Sequence, residues 1–447
     1  MKPNRILPVA ASLLICSAAF AENWAQWRGP NFNGSSDEKG LPSKWTKESA
    51  RWSVEMPGPS ASTPIIYGDK VFLSTADNES KSMHAMCLDR KTGKVLWNNK
   101  VTDGFQRDDK SNFSSPSPVA TADKVFFFYG NGALAAFDHA GKELWSRSIT
   151  KDYGNFAFQW TFSASPLFYG GKLYLQILQR DTPVNGRGRR GPVGGSAADD
   201  GKPIDSYLLA LNPADGKTLW KQVRPSEAVQ ESHEAYSTPL PLEYKGRKEI
   251  VLIGGDCLTG HDPETGKELW RWGTWNQRRI GHWRLVPSAV AGGGVVLACA
   301  PKGEPVYAVK AGASGIIPET EIAWKTDQKR EVTSDVPTPA FYDGDFFVLS
   351  DWRKHLSRIE PATGNEKWTI ELPGRAKFEA SPTAADGKIY MMNFAGEVVV
   401  ADAAKGEILS TIAMGEEGDD MTRSAIAVAN GELFIRTNHK LFCIGSK

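Results

Sequence analysis

Five times in this chain a glycine is followed four positions later by a tryptophan: Gly93 and Trp97, Gly141 and Trp145, Gly216 and Trp220, Gly266 and Trp270, Gly364 and Trp368. Each pair sits in a recurring phrase, as in Asp89-Arg-Lys-Thr-Gly93-Lys-Val-Leu-Trp97 and Asp138-His-Ala-Gly141-Lys-Glu-Leu-Trp145. Three further positions belong to the series. Trp324 follows a degraded turn, Trp52 has the strand but no turn before it, and Ser410 stands where Trp would follow Gly406. Positions 52, 97, 145, 220, 270, 324, 368 and 410 are separated by 45, 48, 75, 50, 54, 44 and 42 residues. A period in the forties with one long interval marks repeated sheets, as in a propeller or solenoid.

Each unit has the same internal order. A Ser/Thr-Pro pair opens a first strand at Thr63-Pro64, Ser117-Pro118, Ser165-Pro166, Thr238-Pro239, Thr338-Pro339 and Ser381-Pro382. A Gly/Asp turn, an apolar strand such as Val71-Phe72-Leu73, and a third strand ending in Asp, Asn or Glu follow. The acid or amide can accept turn N–H groups, glycine supplies positive φ, and a fourth strand then carries the Trp. Four short strands with turns between them make one propeller blade. The Trp is expected to pack between neighbouring blades, where a buried indole removes about 150–250 Å² from water. The fold class is therefore all-β, an eight-bladed β-propeller of four-stranded antiparallel blades. The last unit, from Thr422, lacks a fourth strand, while the segment around Trp52 is a fourth strand without a blade. Trp52 is predicted to complete the C-terminal blade and close the ring, which removes free sheet ends.

Composition agrees. The chain of 447 residues has 43 Gly, 27 Pro and 15 Trp, too much Gly and Pro for a helical bundle. Its 46 aromatic residues exclude a disordered chain. A net charge of +1 excludes a nucleic-acid binder working by bulk charge. Residues 1–21 read as a signal peptide, with Lys2 and Arg5, an apolar stretch from Ile6 to Phe20, and Ala19-Phe20-Ala21 as the cleavage pattern. Residues 22–447 form a single domain, of net charge −1 once Lys2 and Arg5 are removed. A periplasmic or secreted location follows, and the less favoured alternative is a lipoprotein at Cys16, where bulky Ile15 spoils the lipobox. No later segment reaches the ~20 apolar residues of a membrane span. Cys87, Cys257, Cys299 and Cys443 are widely spaced without a metal pattern and read as buried thiols, although export leaves a disulfide open.

The Asp-x-x-Thr-Gly-Lys-x-Leu-Trp phrases resemble the pyrroloquinoline-quinone (PQQ) repeat family, which includes quinoprotein dehydrogenases and the non-enzymatic propeller BamB of the outer-membrane barrel-assembly machinery. Trp24-Ala-Gln-Trp27-Arg28-Gly29-Pro30 and Gly34 resemble the start of secreted BamB-like propellers. The likeness covers about residues 24–447 and speaks to fold more than to activity. Quinoprotein alcohol dehydrogenases carry a vicinal Cys pair, calcium-binding acids and a catalytic Asp. This chain has no adjacent cysteines, and calcium ligands cannot be placed by motif.

The residues just before each first strand should surround the axis on one face. In blade order they supply Phe113, then Trp160, then His233, Glu234 and Tyr236, then His282, Trp283 and Arg284, then Asp335, Glu379 and Arg423. Aromatic walls beside mixed charges suit a ligand pocket, while a water-filled polar axis without ligand is the plainer reading. His233-Glu234 and Asp335 have acid–base chemistry, but no catalytic residue and no metal site is assigned. The 75-residue interval places an insertion at about 182–205 in blade three, with Arg187, Arg189 and Arg190 among glycines. The leading expectation is an exported, non-enzymatic, BamB-like binding propeller of the cell envelope, monomeric, taking an unknown envelope protein or small ligand on the axial face and no nucleic acid. No cofactor is assigned to it. The alternative is a PQQ-dependent dehydrogenase of alcohols or sugars, with PQQ and calcium held by divergent ligands. A glycan-binding propeller rests on Trp160 and Trp283.

Overall fold

The computed structural model describes residues 23–105, 107–184, 187–188, 191–192, 201–273, 275–327 and 331–445. The segment 1–21 expected to be a signal peptide, with Cys16, and most of the arginine-bearing insertion lie outside the described residues. Among the described residues eight blade sheets follow one another along the chain, and a separate two-stranded hairpin pairs Arg187–Gly188 with Gly191–Pro192. Blade one contains Ile65–Tyr67, Lys70–Asp77, Ser82–Asp89 and Val95–Asp103. Blades two to seven repeat that order over 119–148, 167–223, 240–272, 290–325, 340–371 and 383–413.

Blade eight is composite. Ala427–Ala429, Glu432–Arg436 and Lys440–Gly445 supply three strands, and Trp52–Glu55 supplies the outermost. Trp52 pairs with Cys443 and Glu55 with Lys440. The ring is thus closed by the N-terminal strand, as its sequence predicts.

The Gly-Trp repeat works between blades. Trp52 lies on Gly93 of blade one, Trp97 on Gly141, Trp145 on Gly216, Trp220 on Gly266, Trp324 on Gly364 and Trp368 on Gly406. A Cβ on Gly93 (φ +72°) would stand 2.7 Å from the Trp52 ring, so glycine is required by conformation and by contact alike. The indoles also donate Nε1–H to the turn. Trp52 reaches Arg90 O at 2.8 Å, Trp97 His139 O at 3.2 Å, Trp145 Pro213 O at 3.1 Å and Trp324 Pro361 O at 2.6 Å. Trp220 departs from this pattern. Tyr174 Oη donates to the equivalent carbonyl, Pro263 O, at 3.0 Å, and the Trp220 indole N–H has no partner among the described residues.

Blade four carries an addition to the expected four strands. Gly315–Ile317 runs parallel along its outer strand, pairing with Trp270, Arg271 and Trp272. This strand comes from the long connection before Trp324, where blade five has lost its Asp-Thr-Gly turn. Trp270, deprived of that turn, turns inward and donates to Glu249. Among the described residues, Cys87, Cys257, Cys299 and Cys443 are buried free thiols. Burial pushes the Cys87 thiol up to about 12.

Residues 23–45 form a strap across one end of the ring. Trp24 O accepts Ile66 N–H, Ala25 O accepts Ala120 N–H, Asn33 O accepts Phe341 N–H and Gly34 O accepts Ala384 N–H. These partners lie three residues after the Ser/Thr that opens each blade, so the strap covers the end of the channel opposite the predicted ring of site residues. Arg28, 3% exposed, reaches inward and donates to Pro382 O at 2.9 Å and Pro339 O at 2.5 Å.

Candidate functional site: the axial cavity

The innermost strands begin at the Ser/Thr-Pro pairs, and these hydroxyls bind the blades together. Thr63 N–H donates to Ser117 Oγ at 2.9 Å, Ser117 N–H to Ser165 Oγ at 2.9 Å, and Ser165 N–H to Thr238 Oγ1 at 3.0 Å. The series continues from Thr238 N–H to Ser288 Oγ (2.8 Å), Ser288 N–H to Thr338 Oγ1 (2.9 Å) and Thr338 N–H to Ser381 Oγ (3.0 Å). Proline, which has no N–H to donate, follows the hydroxyl residue in six of the blades, whereas Ala289 follows Ser288 in blade five. Ser424 Oγ–H donates to Ser62 O at 3.0 Å and joins blade eight to blade one.

Above this hydroxyl collar lies a cavity of ≈ 880 Å³ measured to its open mouth. Trp27 of the strap contributes to its wall, as do Lys110, Trp160, Tyr236, Arg284, Glu379 and Arg423. Nine of its twenty wall residues are Ser or Thr, which makes it a hydroxylated chamber with aromatic panels rather than a greasy pocket. Three cations face one carboxylate on this wall. Arg423 Nε donates to Glu379 Oε2 at 2.8 Å, and its guanidinium stacks 4.7 Å from the Phe394 ring centroid. Arg284 lies 3.7 Å from Glu231 Oε1, which also accepts Trp160 Nε1–H at 3.0 Å.

Lys110 is placed by the loop 107–112. Asp108 Oδ1 accepts the N–H groups of Lys110 and Ser111, and Asp108 Oδ2 accepts Thr161 N–H at 2.6 Å and its hydroxyl at 2.8 Å. The loop is thereby fastened to blade three, with Lys110 Nζ 5.7 Å from the Trp160 ring centroid, a cation–π arrangement. Tyr236 is set from behind. Its Oη donates to Glu234 Oε2 at 2.5 Å and accepts Trp160 N–H at 3.2 Å. Glu234 is fully buried, pairs with Arg180, and accepts Gln159 N–H at 3.0 Å. Burial pushes its carboxyl up to about 7 against the pull of Arg180.

Of the eleven residues expected around the axis, Trp160, Tyr236, Arg284, Glu379 and Arg423 share the cavity wall. The other six do not. Phe113 packs in the core, beneath Gly130. Glu234 supports Tyr236 from behind. His233 faces Ser226 and Asp181 (3.4 and 3.9 Å), and burial lowers its pKa. His282 is exposed outside the wall, and Trp283 packs on the core of blades four and five. Asp335 accepts Lys302 N–H at 2.7 Å behind the wall. Proximity to the first strand fixes a residue's height along the axis but not its side-chain direction, and several of the six lie off extended backbone: His233 ends the 3-10 turn Gln230–His233, Phe113 and His282 lie in turns and Asp335 in a bend. Sequence reasoning missed Trp27 and Lys110, which come from outside the repeats.

The family model "Outer membrane protein assembly factor BamB" matches residues 43–182, 156–322 and 314–444 in three successive overlapping stretches. The chain belongs to that family. Two curated relatives are polyvinylalcohol dehydrogenases. The one from Pseudomonas sp is 25% identical over 38% of this chain and 24% of its own length. The one from Sphingopyxis sp. (strain 113P3) is 26% identical over 53% of this chain and 32% of its own length. The chain therefore spans a third or less of the curated relatives it matches. Among solved structures, BamB from Moraxella catarrhalis superposes with a TM-score of 0.59 at 12% identity, covering 88% of this chain and 98% of that one. A europium-containing methanol dehydrogenase gives 0.63 at 11% identity, covering 93% and 89%. The quinohemoprotein alcohol dehydrogenase from Comamonas testosteroni gives 0.63 at 11%, covering 95% and 81%. At these identities the superpositions establish the propeller fold alone.

The cavity wall can be tested against the group that names the repeat. Among the described residues no three His, Cys, Asp or Glu side chains gather as a metal site. The one carboxylate on the wall, Glu379, is engaged by Arg423. Calcium takes six to eight oxygen ligands, drawn from carboxylates, carbonyls and water. The residues present do not fit a calcium-bound quinone.

Proposed function

We propose that this chain is an exported, non-enzymatic binding propeller of the bacterial cell envelope, which takes its ligand in the axial cavity. The observation that carries this reading is the composition of the wall: hydroxyls, aromatic rings and three cations, with its single carboxylate already paired. Such a wall recognises and orients, whereas a general base needs a carboxylate or imidazole free to take a proton. Membership of the BamB family supports a scaffold role, and the residue 1–21 pattern supports export.

A second reading is favoured by one observation, the matches to two polyvinylalcohol dehydrogenases. Under it the chain would be a PQQ-dependent dehydrogenase with divergent ligands. The two readings separate on reconstitution. The full chain is loaded with PQQ and Ca²⁺, and dye-linked oxidation is followed over alcohols, sugars and polyvinyl alcohol. The binding reading expects no turnover above the protein-free control. Stoichiometric PQQ uptake with turnover overturns it.

A further inference from the structure

The hydroxyl collar has an unusual balance of donors and acceptors. Ser117, Ser165, Thr238, Thr338 and Ser381 all line the axial cavity. Each accepts an amide N–H from the neighbouring blade. None of their own O–H protons finds an acceptor among the described residues. A hydroxyl has one proton to give, so the cavity presents five O–H donors converging on one channel. To these the wall adds the donors of Lys110, Arg284 and Arg423. The chamber asks for a ligand rich in oxygen acceptors.

A second compartment narrows the class. A smaller cavity of ≈ 300 Å³ opens beside the first, lined by Arg107, Asp108, Asn112 and Asn438 among others; Arg107 pairs with Asp420 at 3.2 Å, and the Asp108 carboxylate is taken up by the N–H groups of Lys110, Ser111 and Thr161. The two share Ala61, Lys110, Ser111 and Arg423, so two cations stand where the compartments meet. Their engagement differs. Arg423 already holds Glu379, whereas Lys110 has no carboxylate partner among the described residues and rests on the Trp160 face. An anionic group at the junction would take a charge-assisted hydrogen bond from Lys110. On the main side, Trp27 and Trp160 supply aromatic walls, each with a cation over its ring, Arg28 at 5.6 Å from the Trp27 centroid and Lys110 at 5.7 Å from the Trp160 centroid.

We infer that the two compartments form one site for a sugar acid, its carboxylate at the junction between Lys110 and Arg423 and a pyranose ring against the Trp faces. The inference rests on the axial-binding reading above. Sugar hydroxyl oxygens meet the collar's O–H donors, the C–H face of the ring covers the indoles, and the carboxylate answers the positive junction. A flat aromatic acid would satisfy the cations but leave the hydroxyl collar without acceptors along its body, and a neutral sugar would leave Lys110 unmatched.

The test uses the full chain in titration calorimetry at low salt, with cellobiouronic acid and cellobiose, which differ in one carboxylate, and with benzoate as the flat acid. The acid sugar is expected to bind about ten-fold or more tightly than cellobiose. Lys110→Met is expected to abolish that preference, and Trp160→Ala to weaken both sugars. Lys110 is a loop residue over an indole, so its replacement leaves the fold standing, and an unchanged melting curve verifies this. Equal affinity for the two sugars overturns the inference, as does binding of neither. Binding of benzoate in place of the sugars overturns the sugar-acid assignment while the axial-binding reading stands, whereas that reading fails only on dye-linked turnover.

Discussion

The indole of Trp52 lies on Gly93 and donates Nε1–H to Arg90 O at 2.8 Å, so the last blade is latched to the first by a residue from the start of the chain. The same indole–glycine contact recurs between other neighbouring blades, but only here does it join the two ends of the sequence. Trp52→Ala should therefore cost about 3–5 kcal/mol, and deletion of residues 22–56 should destabilise the whole ring. Urea unfolding of Trp52→Ala followed by circular dichroism checks the first. A truncated chain that melted like the full one would refute closure.

The hydroxyl collar makes a finer prediction. Ser165→Ala leaves Ser117 N–H, inside a buried ring, without its acceptor, at a cost of about 1–3 kcal/mol. Ser165→Thr keeps the hydroxyl and should recover most of the loss. Equal urea midpoints for the alanine and threonine variants would show that the hydroxyl is not what joins the blades.

Arg28 bridges Pro339 O and Pro382 O from the strap, and Gly34 leaves room for its guanidinium. Burial pulls its pKa down to about 9, still protonated at neutral pH. Arg28→Met removes both bonds and strands two carbonyls, so a lower thermal midpoint is expected. Arg28→Lys should not restore it, because one ammonium cannot reproduce the planar fork. Full rescue by lysine would contradict this account of the strap.

His261 provides the pH dependence. It is fully buried between Thr259 Oγ1 and Gly266 O, each at 2.9 Å, and burial lowers its pKa to about 4 from 6.5. The unfolded chain takes up a proton at a higher pH than the folded one. Stability from neutral His261 is therefore fully present above about pH 6.5 and lost as pH falls toward 4. Relative to His261→Gln, the wild type should lose stability across that window, by about 3 kcal/mol. Parallel urea titrations at pH 7.5 and 4.5 measure it, and a constant difference between the two proteins would rule it out.

The blades were legible because their signals are local. A glycine four residues before a tryptophan, and a Ser/Thr before proline, are read within ten residues, and the ring repeats them. The fifth strand of blade four was not legible. Gly315–Ile317 has no strand signature of its own and pairs because Trp270–Trp272 leaves an open edge. The cavity wall was half legible. Arg284 and Arg423 follow from their place beside the first strands, but Lys110 depends on how Asp108 ties its loop to Thr161, a contact across 53 residues. Trp27 reaches the wall only because the strap crosses the far end of the channel. His282 lies in an exposed turn and Asp335 in a bend where it accepts Lys302 N–H, local backbone shapes that a single sequence does not encode visibly.

The central claim is that the axial chamber binds without catalysing. The measurement that bears on it most directly is the rate of dye-linked alcohol oxidation by the PQQ- and Ca²⁺-treated full chain, run beside Glu379→Gln, which removes the one carboxylate from the wall. Both proteins are expected to stay at the protein-free baseline. Turnover by the wild type that Glu379→Gln abolishes would contradict it.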